Sequence, residues 1–322
     1  MSIQTASVRV SCATFSSMDK YILQKKLGEG TFAVVYKAEH RRTKEIFAVK
    51  CIKKQWTENG ILQCVLREIS LLRQLNHPNI VQLKEVIATQ MDTALVFEYL
   101  SSDLGTYLRQ KQMKESHIKT FCYQIVLAVR FLHQCGVIHR DLKPANILVG
   151  NNGILKVADL GSAKELHMPI REDYPKVVTL LYRAPELLLG AICHSTPIDV
   201  WSIGCILAEM VLKKPFFCWD VNNKQFAEHE QNQLAAIFRI LERPTEETWP
   251  EVSKLPYFDD MHDVFHQRYT YSFNESMEGK MSIGGLGLLE KMLIFCPDRR
   301  ITCNHIVSHP YFANVDEAIT DC

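Results

Sequence analysis

Val137-Ile138-His139-Arg140-Asp141-Leu142-Lys143-Pro144-Ala145-Asn146-Ile147-Leu148-Val149 sets an aspartate, a lysine and an asparagine within six residues, between two apolar runs. It follows directly on residues 116 to 134. There Phe121, Ile125, Ala128 and Leu132 recur at helical spacing and predict an amphipathic helix. Eighteen residues past Asp141 comes Asp159-Leu160-Gly161, and Ala184-Pro185-Glu186 follows further on.

Working outward, residues 21 to 97 favour strands. Val34-Val35-Tyr36, Ile46-Phe47-Ala48-Val49 and Ala94-Leu95-Val96-Phe97 are short apolar or β-branched runs bounded by polar turns. One helix interrupts them, with Ile61, Val65, Ile69 and Leu72 on its face and Asn76-His77-Pro78 as its stop. After residue 104 the pattern is helical, and residues 199 to 212 are apolar on nearly all sides, as in a buried helix. The expected class is α+β: a small strand-rich lobe with one helix, a short connector, and a larger helical lobe. Ligands often bind at such a junction.

Gly28-Glu29-Gly30-Thr31-Phe32-Ala33 lies between the apolar stretch Tyr21-Ile22-Leu23 and Val34-Val35. Two glycines between strands let backbone N–H groups approach phosphate oxygens, although a plain hairpin turn has the same composition. A dinucleotide-binding reading needs a helix straight after the glycines, and a strand is expected instead. Twenty residues after Gly30, Lys50 ends an alternating strand, where a snorkelling surface lysine is the ordinary alternative. Glu68 shares a helix face with Cys64, Val65, Leu71 and Leu72. A carboxylate on an apolar face is costly without a cation, and Lys50 is the candidate.

Taken in order, Lys50, Glu68, the His139–Asn146 segment, Asp159-Leu160-Gly161 and Ala184-Pro185-Glu186 resemble the signature set of eukaryotic protein kinases. The resemblance covers residues 19 to 313 and implies the bilobal protein-kinase fold. Its N-lobe is 19–97, its hinge 98–103 and its C-lobe 104–313, with 1–18 a disordered extension and 314–322 a short tail. It implies ATP and Mg²⁺ as cofactors and phosphoryl transfer by positioning and charge neutralisation. Asp141 would orient the substrate hydroxyl and Lys143 would sit beside the transferring phosphoryl. Asn146 and Asp159 would hold the metal, and Lys50, paired with Glu68, the α- and β-phosphates. The nucleotide would also meet Leu27, Gly28, Glu29, Gly30, Thr31, Phe32, Ala33, Val34, Val35, Ala48, Phe97 as gatekeeper, Glu98 and Leu100 at the hinge, Asp103 and Leu148. Leu160 stands where the family usually has Phe, and Ala33 replaces the third glycine. Neither departure touches a catalytic position.

Within that family, Leu66-Arg67-Glu68-Ile69 resembles the cyclin-binding helix of cyclin-dependent kinases. The segment from Val177 through Tyr182-Arg183-Ala184-Pro185-Glu186 resembles their substrate-binding stretch, with Arg183 the mark of proline-directed members. These likenesses imply a cyclin partner and protein substrates phosphorylated at Ser or Thr before Pro. Arg67, Arg140 and Lys164 match the basic cluster that holds an activating phosphothreonine, yet residues 165 to 176 contain no Ser or Thr and Tyr174 falls at the usual position. That pattern resembles the Mediator cyclin C-dependent kinase, and other stretches resemble the kinase that activates other cyclin-dependent kinases. Asp199 is expected to buttress the catalytic loop, and Arg300 to pair with Glu186. The alternatives are a cyclin-independent proline-directed kinase of glycogen synthase kinase or MAP kinase type, and a pseudokinase scaffold.

Composition agrees and adds exclusions. The 322 residues are 47% apolar and 23% charged, which argues against intrinsic disorder and for an ample core. Lys and Arg number 37 against 36 for Asp and Glu, so no basic excess points to nucleic acid as a partner. The eleven cysteines are scattered, without C-x-x-C or zinc spacing, and read as free thiols. No apolar run is long enough for a membrane span and no signal peptide is recognisable, so the expected location is intracellular, in nucleus or cytoplasm. Arg41-Arg42-Thr43-Lys44 reads as a strand-to-strand turn rather than an import signal.

Overall fold

In the computed structural model the described residues are 18–30, 33–53, 62–88, 93–166, 180–218, 229–266 and 273–315. Thr31 and Phe32, the loop at 167–179 with Tyr174, the extension at 1–17 and the tail at 316–322 lie outside them. The chain divides into two compact units. The division is not a single cut: the smaller unit contains residues 82–99 as well as the chain up to Arg73, whereas Gln74–Val81 belongs to the larger one.

The smaller unit is a five-stranded antiparallel sheet of β1 (Tyr21–Glu29), β2 (Ala33–His40), β3 (Ile46–Ile52), β4 (Leu83–Ala88) and β5 (Thr93–Glu98), in the order β1-β2-β3-β5-β4. Residues 41–43 form the turn between β2 and β3. Helix α1 (Leu62–Gln74) completes the unit. Strand alternation sends successive side chains of β3 to opposite faces. Val49 goes to a core with Tyr21, Ala38, Ile87, Ala94 and Val96. Ile52 goes to the other face and packs with Ala33 and with Val65 and Ile69 of α1. The alanine that replaces a glycine at position 33 therefore has a use, because its methyl group lies in the contact that seats the helix. In β4, Lys84 and Glu85 break the apolar alternation, and a register shift lies between Leu83 and Glu85. Its strand character comes from pairing with β5.

The larger unit holds β6 (Ser102–Asp103), α2 (Leu104–Gln110), α3 (Glu115–Gln134), β7 (Val137–Ile138), β8 (Ile147–Val149), β9 (Leu155–Val157) and β10 (Lys164–Glu165). Helices α4 (Pro185–Leu188), α5 (Pro197–Leu212), α6 (Glu230–Ile240), α7 (His262–His266), α8 (Phe273–Met277), α9 (Ile283–Met292) and α10 (Cys303–Val307) follow. Helix α5 is buried from Ile198 through Met210 and packs against α3 and α9, as its all-round apolar sequence requires. Gln74–Val81 joins this unit through hydrogen bonds: Asn79 Nδ2 donates to Gln124 Oε1 and to Leu155 O, both at 2.9 Å, and Val157 N donates to Asn79 O at 2.8 Å. Arg300 donates to both Glu186 oxygens at 2.7 and 2.9 Å, and also to the carbonyls of Ile294, Phe295 and Pro197. All donors of the buried guanidinium are thereby used. Cys122, Cys135, Cys193, Cys205, Cys296 and Cys303 are free thiols, and burial pushes the Cys122 thiol up to about 12.

Candidate active site

In the sheet unit, cross-strand pairing gathers residues that the sequence separates. Directly paired side chains share a face. Val35 pairs with both Gly28 and Lys50, Lys50 also with Leu95, and Ala48 with Phe97. Ala48, Lys50 and Ile52 alternate onto the α1 side, where Ile52 meets Val65. One helical turn beyond Val65 is Glu68, only 3% exposed. Lys50 Nζ reaches its two oxygens at 2.8 and 3.1 Å. The ion pair expected from the sequence thus follows from strand period and helix period meeting at one contact. A buried carboxylate is tolerable here because it is matched by a cation.

The other candidates in this unit divide by what holds them. Phe97 is buried, whereas Leu27 is 43% exposed. Glu98 bonds within its own sheet: its N–H donates to Gln82 O at 3.2 Å and its carboxylate accepts from Gln82 N at 2.7 Å. The Glu29 side chain is taken up by Lys26 and, at 2.6 Å, by Lys53, and their hydrogen bonds hold its carboxyl down to about 2. Among the described residues, a side-chain carbon added at Gly28 would meet no atom within 4 Å, and one at Gly30 only Ala33 O at 3.9 Å. Packing among the described residues therefore does not impose glycine at either place, and the space suits close approach of a phosphate to backbone.

In the helical unit the loop after β7 is wired from behind. Asp199 Oδ2 accepts the backbone N–H of His139 and Oδ1 that of Arg140, both at 2.9 Å, while His133 Nε2 lies 2.9 Å from Oδ2. Burial raises the Asp199 carboxyl, but the bond and charge of His133 and the contacts of His139 outweigh it, leaving the group below its ordinary value. Arg140 is held at φ 68, a left-handed conformation unusual for arginine, and its Nε donates to Ser162 O at 2.7 Å. The His139 ring, fully buried, accepts from Asp141 N at Nδ1 (3.2 Å), which leaves Nε2 to donate to Ala158 O (3.0 Å). One imidazole thus ties the Asp141 segment to the one that carries Asp159. Ala158 N adds a second tie, to Asn146 O at 2.9 Å.

On this frame Asp141 Oδ2 accepts from Lys143 Nζ at 2.8 Å and from Asn146 Nδ2 at 3.1 Å. Asn146 Nδ2 also donates to Asp141 O at 2.7 Å, so the atom the amide can offer a cation is Oδ1. Asp159 adopts φ 62, and the following Leu160 is 1% exposed, filling an apolar slot as the family's Phe would. An amide oxygen and a carboxylate are hard donors that fit Mg²⁺, which binds through one or two protein groups plus substrate phosphates. Among the described residues no three of His, Cys, Asp and Glu gather as a metal site. Asp103 also caps α2, accepting from Thr106 N at 2.8 Å and Thr106 Oγ1 at 2.7 Å. Leu148 is its cross-strand partner.

A pocket beside Asp141 is lined by Arg140, Tyr182, Arg183 and Ser202. Two contacts there have no local sequence signature. Glu230 of α6 pairs with Arg183 at 3.1 Å, and Glu209 of α5 accepts from Tyr182 OH at 2.6 Å. The second is foreshadowed only by Glu209, which with Asp199 is one of two carboxylates in an otherwise largely apolar α5. His194 is pushed down to about 4, first by burial and then by the charges of Arg140 and Lys164. Arg67 lies on α1.

No helix among the described residues is long and apolar enough to cross a membrane. A family model for the protein kinase domain matches residues 21–312, nearly the whole chain. The chain belongs to the protein kinase family, transferases that move a phosphoryl group from ATP to proteins.

Proposed function

We propose that this kinase phosphorylates Ser or Thr followed by Pro and that a cyclin controls it. Asp141 takes or orients the hydroxyl proton of the substrate, and Lys143 neutralises charge on the transferring phosphoryl. Lys50, oriented by Glu68, binds the α- and β-phosphates, while Asn146 and Asp159 hold Mg²⁺. Leu27, Val35, Ala48, Phe97 and Leu148 supply apolar contact to adenine, with Glu98 and Leu100 offering backbone groups. The observation that carries catalysis, rather than a scaffold role, is the 2.8 Å bond from Lys143 to an Asp141 whose loop is anchored by Asp199. Phosphate transfer to a Ser-Pro peptide by wild type and its loss in Asp141→Asn is the test; equal rates overturn the assignment.

Cyclin dependence is supported by Leu66, a large apolar residue 54% exposed on α1 next to Arg67 and Glu68. The same helix carries the orienting Glu68, so a partner that meets Leu66 would act directly on the element that holds Lys50. The competing reading, a cyclin-independent proline-directed kinase, is favoured by the Lys50–Glu68 pair, which is made in the single chain at 2.8 Å. Assaying the purified chain alone and with cyclin C or the cyclin of the kinase-activating kinase decides between them. Full activity without a cyclin retires the first reading.

A further inference from the structure

We propose that the pocket framed by the end of α5, α6 and α8 docks an acidic, partly apolar peptide segment of a partner protein. Leu212, Phe216 and Ile240 give the pocket an apolar floor, and the exposed Lys214, Arg239 and Lys280 stand at its rim. Its lining shares no residue with the pocket beside Asp141. No Asp or Glu is among the described residues that line it, and Lys214 and Lys280 set positive charge at its rim. Lys280 Nζ donates to Ser276 O at 2.7 Å, which fixes one of these cations at the wall and leaves its other donors for a carboxylate.

Size and charge select the occupant. A volume of about 190 Å³ falls below the roughly 300–1,000 Å³ of sites that enclose a drug-sized ligand. It suits one or two apolar side chains rather than a whole small molecule. Buried apolar anchors surrounded by a polar rim carry most of the energy of protein contacts, and rim charges mainly steer and orient. A leucine or phenylalanine flanked by Asp and Glu satisfies both parts. A nucleic acid does not: its phosphates want an extended basic track, whereas this chain has a net charge of +1 and the floor is aliphatic and aromatic.

The test is fluorescence anisotropy of a labelled peptide carrying Leu and Phe between Glu and Asp residues, titrated with the full chain. The control peptide has Lys in place of each acid. The acidic peptide is expected to bind, and to bind more weakly as salt rises. In Lys214→Glu/Lys280→Glu the affinity should fall about tenfold or more, with phosphorylation of a short Ser-Pro peptide lacking the acidic motif unchanged. Ile240→Asp, which puts a charge on the floor, should also weaken binding; matching unfolding midpoints certify both variants as folded. No binding by wild type, equal binding of the basic peptide, or equal binding by the charge-reversed variant each overturns the proposal.

Discussion

Asp199 of α5 accepts the backbone N–H of His139 at 2.9 Å, so a carboxylate from a helix sixty residues downstream fixes the start of the loop that carries Asp141. In Asp199→Asn one of the two accepting oxygens becomes an N–H₂ donor facing backbone N–H groups. Loop misplacement of this kind costs on the order of 10²-fold in kcat, with KM for ATP little changed because Lys50 is untouched. Steady-state kinetics with both substrates checks this. The carboxyl is depressed in the folded chain, so its stabilisation is present above the unfolded value near about 3.9 and is lost as pH falls through the lower folded value. The variant should therefore show a flatter acid limb, below about pH 4, in a plot of unfolding midpoint against pH.

Lys50→Met removes the cation and leaves Glu68 buried without it. Loss of a charge that stabilises the transferring phosphates costs roughly 10²–10³-fold in kcat, and stability should fall as well, by about 1–3 kcal/mol. Glu68→Gln keeps a hydrogen bond to Lys50 and should lose less of both. If Glu68→Gln is as inactive as Lys50→Met, the glutamate does more than orient the lysine. ATP hydrolysis and thermal unfolding of the two variants separate these effects.

The strand-and-helix plan was legible because period-2 and period-3.6 patterns are local. Lys50 and Glu68 could be matched from sequence because each sits in a clean pattern, and the Asp141 loop because three polar types crowd a short segment. What escaped depends on distant chain. Strand β4 carries adjacent charges and is a strand only by pairing with β5. Residues 74–81 look like a helix stop, yet hydrogen bonds from Asn79 to Gln124 and Leu155 commit them to the larger unit. His133 follows Val126 and Val129 on a buried face of α3, and only the fold brings it to Asp199. The likeness to cyclin-dependent kinases rests on short stretches whose deciding loop lies outside the described residues.

Glu186 and Arg300, 114 residues apart, form a buried two-bond ion pair. Arg300→Met strands the Glu186 carboxylate, and breaking a buried pair from one side costs about 3–5 kcal/mol. For a chain of this size the melting point should drop by roughly 4–7 °C. Glu186→Leu/Arg300→Met, which removes both charges, should recover part of that loss, though not all, because Arg300 also binds the carbonyls of Ile294, Phe295 and Pro197. Scanning calorimetry on the three proteins measures the recovery. No recovery at all would locate the stabilisation in those carbonyl bonds instead.

Arg183 lines the pocket beside Asp141 and is held at 3.1 Å by Glu230 of α6. Burial draws its guanidinium down from the ordinary arginine value, with the charges of Glu230 and Asp141 acting in the opposite direction. Both carboxylates therefore act on one buried cation. If Arg183 sets the preference for proline after the phosphorylated residue, Arg183→Ala should reduce the ratio of kcat/KM for Ser-Pro over Ser-Ala peptides by about tenfold. Glu230→Gln should reduce it less, since a neutral amide can still accept from the guanidinium. The change should appear in KM for peptide more than in KM for ATP. A uniform fall in kcat for both peptides would instead mark the pair as a support for Asp141 with no part in selectivity.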